Sequence, residues 1–279
     1  MWGVILSYIS SSIPLSVPLM YGSTGEIVTE KSGHLNLGIP GIMYVGAISS
    51  VIGSFLYETG CANAGVALNP VLAVLIPLLS CILGAVLMGL IYSFLTVTLR
   101  VNQNVTGLAL TTFGAGLMKV IMSKVDATVY LVGPKMLYRW PFAGRTDALQ
   151  CLGVMFFLAV IIAVVASWVL YRTKVGLHLR AVGENPSTAD AVGINVTKYK
   201  YVASCVGSGI AGLGGFYYII DYMASQEAYL SLEIFGWLSI ALVIFALWKP
   251  NMAILGSLLF GALLAMIYTD DLFTAYVFI

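Results

Sequence analysis

VLAVLIPLLSCILGAVLMGLIYSFLTVTL, residues 71–99, carries no charge over its whole length. A hydrocarbon core of about 30 Å needs roughly twenty such residues in a helix, so this stretch is long enough to cross a bilayer. Its apolar residues do not alternate with polar ones, and a membrane β-barrel would require that period of two. The rest of the chain repeats the pattern. Hydrophobic residues fill 60% of its 279 positions and charged residues only 9%, against about a quarter in soluble domains. The fold class is therefore all-α, a polytopic transmembrane helical bundle, with one membrane domain over residues 1–279.

Working outward from 71–99, similar windows fall at about 3–22, 38–58, 70–99, 104–122, 149–171, 200–220, 234–248 and 251–269. The first has no basic n-region and no small-residue cleavage site, so it reads as a retained helix, bent near Pro14 and Pro18 rather than removed as a signal peptide. A last apolar run, Leu272 to Ile279, stops too early to cross. Either the chain is truncated or that helix is short. Cytoplasmic loops keep Lys and Arg. Alternating spans place Lys31, Arg100, Arg172, Lys174, Arg180, Lys198, Lys200 and Lys249 on one side, and Lys124, Lys135, Arg139 and Arg145 on the other. The first side is expected to be cytoplasmic. The acids Glu58, Asp126, Asp147, Asp221, Glu227, Glu233, Asp270 and Asp271 then fall outside.

Between two spans lies a polar island, Tyr171 to Lys200, holding Arg172, Lys174, Arg180, Lys198 and Lys200. Asn185 suits a helix N-cap, Pro186 the first helical position, and Gly193 a left-handed end. A short exposed helix is expected over Pro186 to Val192. Ala189, Ala191 and Val192 offer small apolar contacts, and Arg180, Glu184 and Asp190 put charge near its ends, a pattern suited to docking in a groove of a soluble partner. A solvated loop with one turn of helix would look similar. The segment Ser123 to Asp147 is too polar to cross; it forms either a rim for a delivery protein or a covering loop with interfacial aromatics.

Gly207-Ser208-Gly209-Ile210-Ala211-Gly212 matches a dinucleotide fingerprint in letters only. A nucleotide fold needs a strand, a turn and a soluble helix there, whereas Tyr201 to Ile220 is a single uncharged apolar stretch. Small residues four apart, Ser208 with Gly212 and Ala211 with Gly215, instead let membrane helices approach closely. Gly25 to Gly41, GEIVTEKSGHLNLGIPG, abuts a span while carrying Glu26, Glu30, Lys31, His34 and Asn36. Its glycines permit irregular backbone, which lines a passage or forms an ordinary loop before a helix. Asn102, Gln103, Asn104 and Thr106 open another span and should face the bundle interior, where they contact a polar solute or join neighbouring helices. Asn36 and these four are the candidate translocation path.

Catalysis has no visible foothold. No HExxH, no nucleophile turn and no carboxylate pair within a span occurs, and no cofactor is called for. His34 and His178 both fall in segments expected to be wet. Cys61, Cys81, Cys151 and Cys205 lack CxxC spacing; three suit packing, and Cys61, in a connecting loop, either stays free or pairs with Cys151.

Gly25 to Gly41 resembles the GE-x-ER/KSG-x-xN-x-G-x-EG signature of permease subunits of bacterial ABC importers of the ribose, simple-sugar, nucleoside and branched-chain amino-acid group. Leu179 to Gly193, LRAVGENPSTADAVG, is similar to their cytoplasmic coupling segment, and Tyr201 to Gly215 with Ala241 to Pro250, ALVIFALWKP, to the nucleoside and sugar branch. The resemblance covers nearly the whole chain. Departures are Pro40 where the family has an acid, Ala246 near an expected glycine, and the partial match of Phe235-Gly236-Trp237 to a Gly-x-Gly-aromatic element.

The resemblance implies a non-catalytic subunit of the bacterial cytoplasmic membrane, surrounded by lipid and paired with a second, often non-identical permease. It implies a cytoplasmic ATPase seated on Arg180, Glu184, Asn185, Pro186, Ser187, Ala189, Asp190 and Gly193. It also implies an external solute-binding lipoprotein and no nucleic-acid partner. Nucleosides lead the implied solutes and simple sugars follow. An ion-coupled secondary transporter is the alternative, and it would want ionisable groups at mid-membrane near broken helices. None is found at such a position.

Overall fold

The computed structural model describes residues 2–124, 152–223 and 229–268. In chain order the helices are α1 (Trp2–Glu30), α2 (Ile39–Ala64), α3 (Pro70–Ser93), α4 (Gln103–Met122), α5 (Val154–Arg172), α6 (Lys174–Glu184), α7 (Pro186–Ala191), α8 (Val196–Phe216), α9 (Tyr229–Phe245) and α10 (Pro250–Tyr268). Phe94–Thr98 continues α3, and Tyr217–Met223 continues α8, each as a π-helical turn. Six described helices are long and apolar enough to cross a membrane, so the chain is a multi-pass helical membrane protein. Ser123 to Asp147 falls almost wholly, and Leu272 to Ile279 entirely, outside the described residues.

At the centre stands α8, packed on α1, α2 and α3. Backbones meet there because side chains are absent: Gly25 of α1 faces Gly207, and a methyl group on Gly46 of α2 would lie 2.8 Å from the Gly212 Cα. The glycine run of α8 is a helix-packing surface, as its spacing predicts. Glycines bring α2 and α4 together as well, Gly38 against Gly107 and Gly41 against Gly114. Pro40 sets its ring against Gly236 of α9.

Four expectations change. α1 does not stop near residue 22 but runs to Glu30, because Gly25 takes the close contact with α8 without leaving helical geometry. Irregular backbone is confined to the link between α1 and α2. The island Tyr171 to Lys200 holds two helices, not one: Leu179 and Val182 give α6 an inward face over Gly176, and Thr173 caps it by accepting from the Gly176 N–H at 3.2 Å. Asp221 is not in an external loop but buried in the π-helical turn after α8. Cys61 lies in the last turns of α2 as a free thiol, and Cys151 is outside the described residues.

Candidate functional site

One end of the bundle gathers the features singled out above. Asn185 serves two helices at once: its N–H donates to the Ala181 carbonyl at 3.0 Å, closing α6, and its Oδ1 accepts from the Thr188 N–H at 3.1 Å, opening α7. Pro186 takes the first position of α7. Gly193 ends the knob at φ 83°, a conformation that costs residues with a Cβ about 1 kcal/mol or more, and donates to the Asp190 carbonyl at 2.9 Å. The predicted helix is thus present, one residue shorter.

Glu184, Asn185, Pro186, Ser187, Asp190 and Gly193 are exposed, Arg180 is half-buried, and Ala189 is buried. Ala189 therefore packs inward and is not a free contact, whereas Ala191 and Val192 face out. The Arg180 guanidinium sits 5.2 Å from the Tyr171 ring centre, within cation–π range.

The knob is fastened to the core through backbone. Gly183 of α6 meets the Lys31 carbonyl, and a Cβ on Gly33 would stand 3.1 Å from the Gly183 carbonyl oxygen. Gly33 itself has φ 83°. His178 Nδ1 and the Tyr199 hydroxyl share a hydrogen bond of 2.9 Å, joining α6 to α8. The Trp248 indole N–H donates to Glu30, and the Tyr171 hydroxyl donates to the Trp248 carbonyl at 3.2 Å. Leu247 and Trp248, at φ 52° and 55°, make the left-handed turn from α9 to α10 that brings the indole there.

The Lys31 to Gly38 link is ordered by side chains from three helices, α1, α3 and α4. Glu26 Oε1 accepts from the Asn36 N–H at 2.7 Å, and Asn36 Oδ1 accepts from the Gly38 N–H at 2.9 Å. The Leu35 N–H donates to Gln103 Oε1 at 3.0 Å, the Tyr92 hydroxyl to the Leu35 carbonyl at 2.7 Å, and Thr111 to the Leu37 carbonyl at 3.1 Å. His34 is buried edge-on to Tyr92, so the expectation of a wet histidine is corrected. Burial, helped by the Lys200 charge, pushes the His34 imidazole down to about 4. Lys31 is lowered by burial and by the neighbouring Arg180.

Of the candidate path, Asn102, Gln103 and Asn104 line one cleft of about 410 Å³ with Thr96, Arg100 and Val101. Asn102 caps α4 by accepting from the Asn104 N–H at 3.0 Å, and Thr106 donates to the Asn102 carbonyl at 2.9 Å. Asn102 and Asn104 are exposed on this chain, not turned into its interior, while Thr106 and Asn36 are buried and do not line the cleft. Sequence reasoning missed Glu26 as a loop organiser, Trp248 as its neighbour's clasp, and Asp221 as a buried acid. The first was readable: Glu26 and Glu30, four apart, share a helix face once α1 is extended. Asp221 is nonetheless a buried acid within the apolar segment 196–223, toward the far end of that segment rather than at mid-membrane.

A multi-pass bundle whose one end carries a capped, outward helix clasped to its core is the build of a membrane transport subunit. Over residues 8–275 the chain matches the family described as branched-chain amino acid transport system / permease component, and it belongs to that family. It is 31% identical to the nucleoside ABC transporter permease protein NupC of Lactococcus lactis, over 91% of this chain and 79% of that one. It is 29% identical to the guanosine ABC transporter permease protein NupQ of Bacillus subtilis, over 92% and 81%. A provisionally named glucose ABC transporter permease protein, TsgC13 of Haloferax volcanii, is 30% identical over 92% and 76%. No solved structure matches.

Proposed function

We propose that this chain is the membrane-spanning subunit of an ATP-driven importer of nucleosides, with simple sugars as the next class of solute. It pairs with a second, non-identical permease, receives solute from an external binding lipoprotein, and lies in the bacterial cytoplasmic membrane. The observation that carries the reading is the α6–α7 knob. It is a short helix with both ends capped, it projects from the end where the basic loops collect, and Gly183 seats it on the Lys31–Gly33 backbone.

A separate ATPase closing on nucleotide would push on Glu184, Asn185, Pro186, Ser187 and Asp190, and the glycine contact would carry the push to α1. Arg180, held over Tyr171, and the buried Ala189 set the knob's angle, and Gly193 allows the chain to turn into α8. The ring of Asn102, Gln103 and Asn104, with the buried Thr106 and Asn36, borders the passage on the same side.

The test is solute uptake and ATP hydrolysis by the purified assembly carrying Glu184→Ala with Asp190→Ala. Hydrolysis that continues while uptake falls at least about tenfold is expected. Unchanged uptake, or labelling of Ser187→Cys from the outer surface by an impermeant reagent, sinks the reading. Asp221 beside a π-helical turn is the kind of feature that an ion-coupled carrier would use. Uptake into vesicles that proceeds without ATP and collapses with the ion gradient is the outcome that would favour that carrier.

A further inference from the structure

At the opposite end of α8 from the knob, Asp221 is only 2% exposed and neither carboxyl oxygen has a hydrogen-bond partner among the described residues. A carboxyl group sealed without a partner in a membrane protein is costly to keep ionised, so such a group persists where a ligand meets it in some state. The backbone around it is also unusual. Tyr217–Met223 widens into π-helical geometry, which turns successive side chains onto a new face and recurs at functional sites.

That face is aromatic. Tyr217 stacks on Tyr222 with ring centres 6.0 Å apart and planes 8° from parallel, and Tyr218 lies 6.2 Å from Tyr222 and 4.5 Å from Phe235 of α9. The turn touches α1, α2 and α9, so it sits at a junction of helices rather than on the lipid face. Some twenty helical residues separate it from Lys200, about 30 Å of rise, which sets it near the far edge of the hydrocarbon.

We propose that Asp221 anchors the solute by its sugar, the two carboxylate oxygens accepting from adjacent hydroxyls while the half-buried Tyr222 ring offers a flat wall. This inference rests on the nucleoside and sugar reading above and deepens it. Nucleosides and hexoses share vicinal hydroxyls, and a carboxylate is the acceptor-only group that takes two such donors at once. In the state seen here the anchor is sealed. Alternation of the bundle has to open it toward one side, and the widened turn, whose i to i+5 bonding is easily exchanged for α-helical bonding, is where the backbone can change.

The experiment uses the complete assembly of permease pair, ATPase and binding protein in proteoliposomes, supplied with saturating adenosine or 2′,3′-dideoxyadenosine so that delivery does not limit. Wild type is expected to favour adenosine by at least about tenfold, and D221N to lose that preference by a fall in adenosine uptake alone. Copurification of the ATPase with D221N reports intact assembly. A wild type that moves both nucleosides equally well overturns the inference without needing the variant. So does D221N uptake that is unchanged, or that falls equally for both, the latter assigning Asp221 to structure or to an ion. A wild type that moves no nucleoside and no sugar overturns the solute reading and this inference with it.

Discussion

α3 and α8 are both helices that cross the bundle's full height, yet 28% of the apolar window of α3 is buried in the protein against 83% of that of α8. The more apolar helix is the less buried. In water the order would be reversed, because burial there is driven by removing hydrocarbon from solvent. In lipid that drive is absent between helices, and the interior position goes to the chain that lets backbones come closest. α3 spends leucines on the lipid, Leu83 being 71% exposed and Leu79 49%. α8 fills the centre with Gly207, Gly209, Gly212, Gly214 and Gly215.

The largest effect expected from testing this contrast is at Gly207. Gly207→Leu forces a side chain into the Gly25 backbone and should cost about 3 kcal/mol or more, read as lost monodispersity and a lower Tm in detergent. A Gly207→Leu protein of normal Tm would show that α8 is not the packing centre. Gly212→Ala is milder. Its methyl would press on Ala85 of α3, a loss of about 1–3 kcal/mol by the same measurement.

Next comes the buried end of α3, where Tyr92 holds His34. The folded imidazole ionises at about 4 against an ordinary 6.5, so between those values the unfolded chain binds the proton more readily and stability rises with pH. Acidifying from pH 7 toward 4 should therefore lower Tm, with a slope below about 1.4 kcal/mol per pH unit, and His34→Gln should flatten that window. Equal slopes in both proteins would place His34 in water. The smallest effect belongs to the lipid face: Leu83→Ala should change stability by no more than about 0.5 kcal/mol, and a large loss would mean that another protein covers it.

Much of this was legible in the sequence. Length and lack of charge mark the spans, and Asn185, Pro186 and Gly193 place α7 to within a residue, because capping is local chemistry. The α8 glycines read correctly as packing because a spacing of four holds in any helix. What was not legible depends on partners distant in sequence. Nothing near His34 announces that Tyr92 will cover it, and nothing near Trp248 announces Glu30. A charge ordinarily ends a span, which puts Asp221 outside; only the π-helical continuation of α8, with α1, α2 and α9 around it, keeps the acid inside. Asn102 and Asn104 misled in the opposite way, since an N-cap must stand at a helix mouth and there it faces out.

The meeting of Gly183 with Lys31 and Gly33 has a mechanical side. Side chains bend and change rotamer, and a joint made of them absorbs small displacements. A joint made of main chain in close contact has less give, so under the coupling proposed above a shove on the knob should reach the end of α1 with little loss.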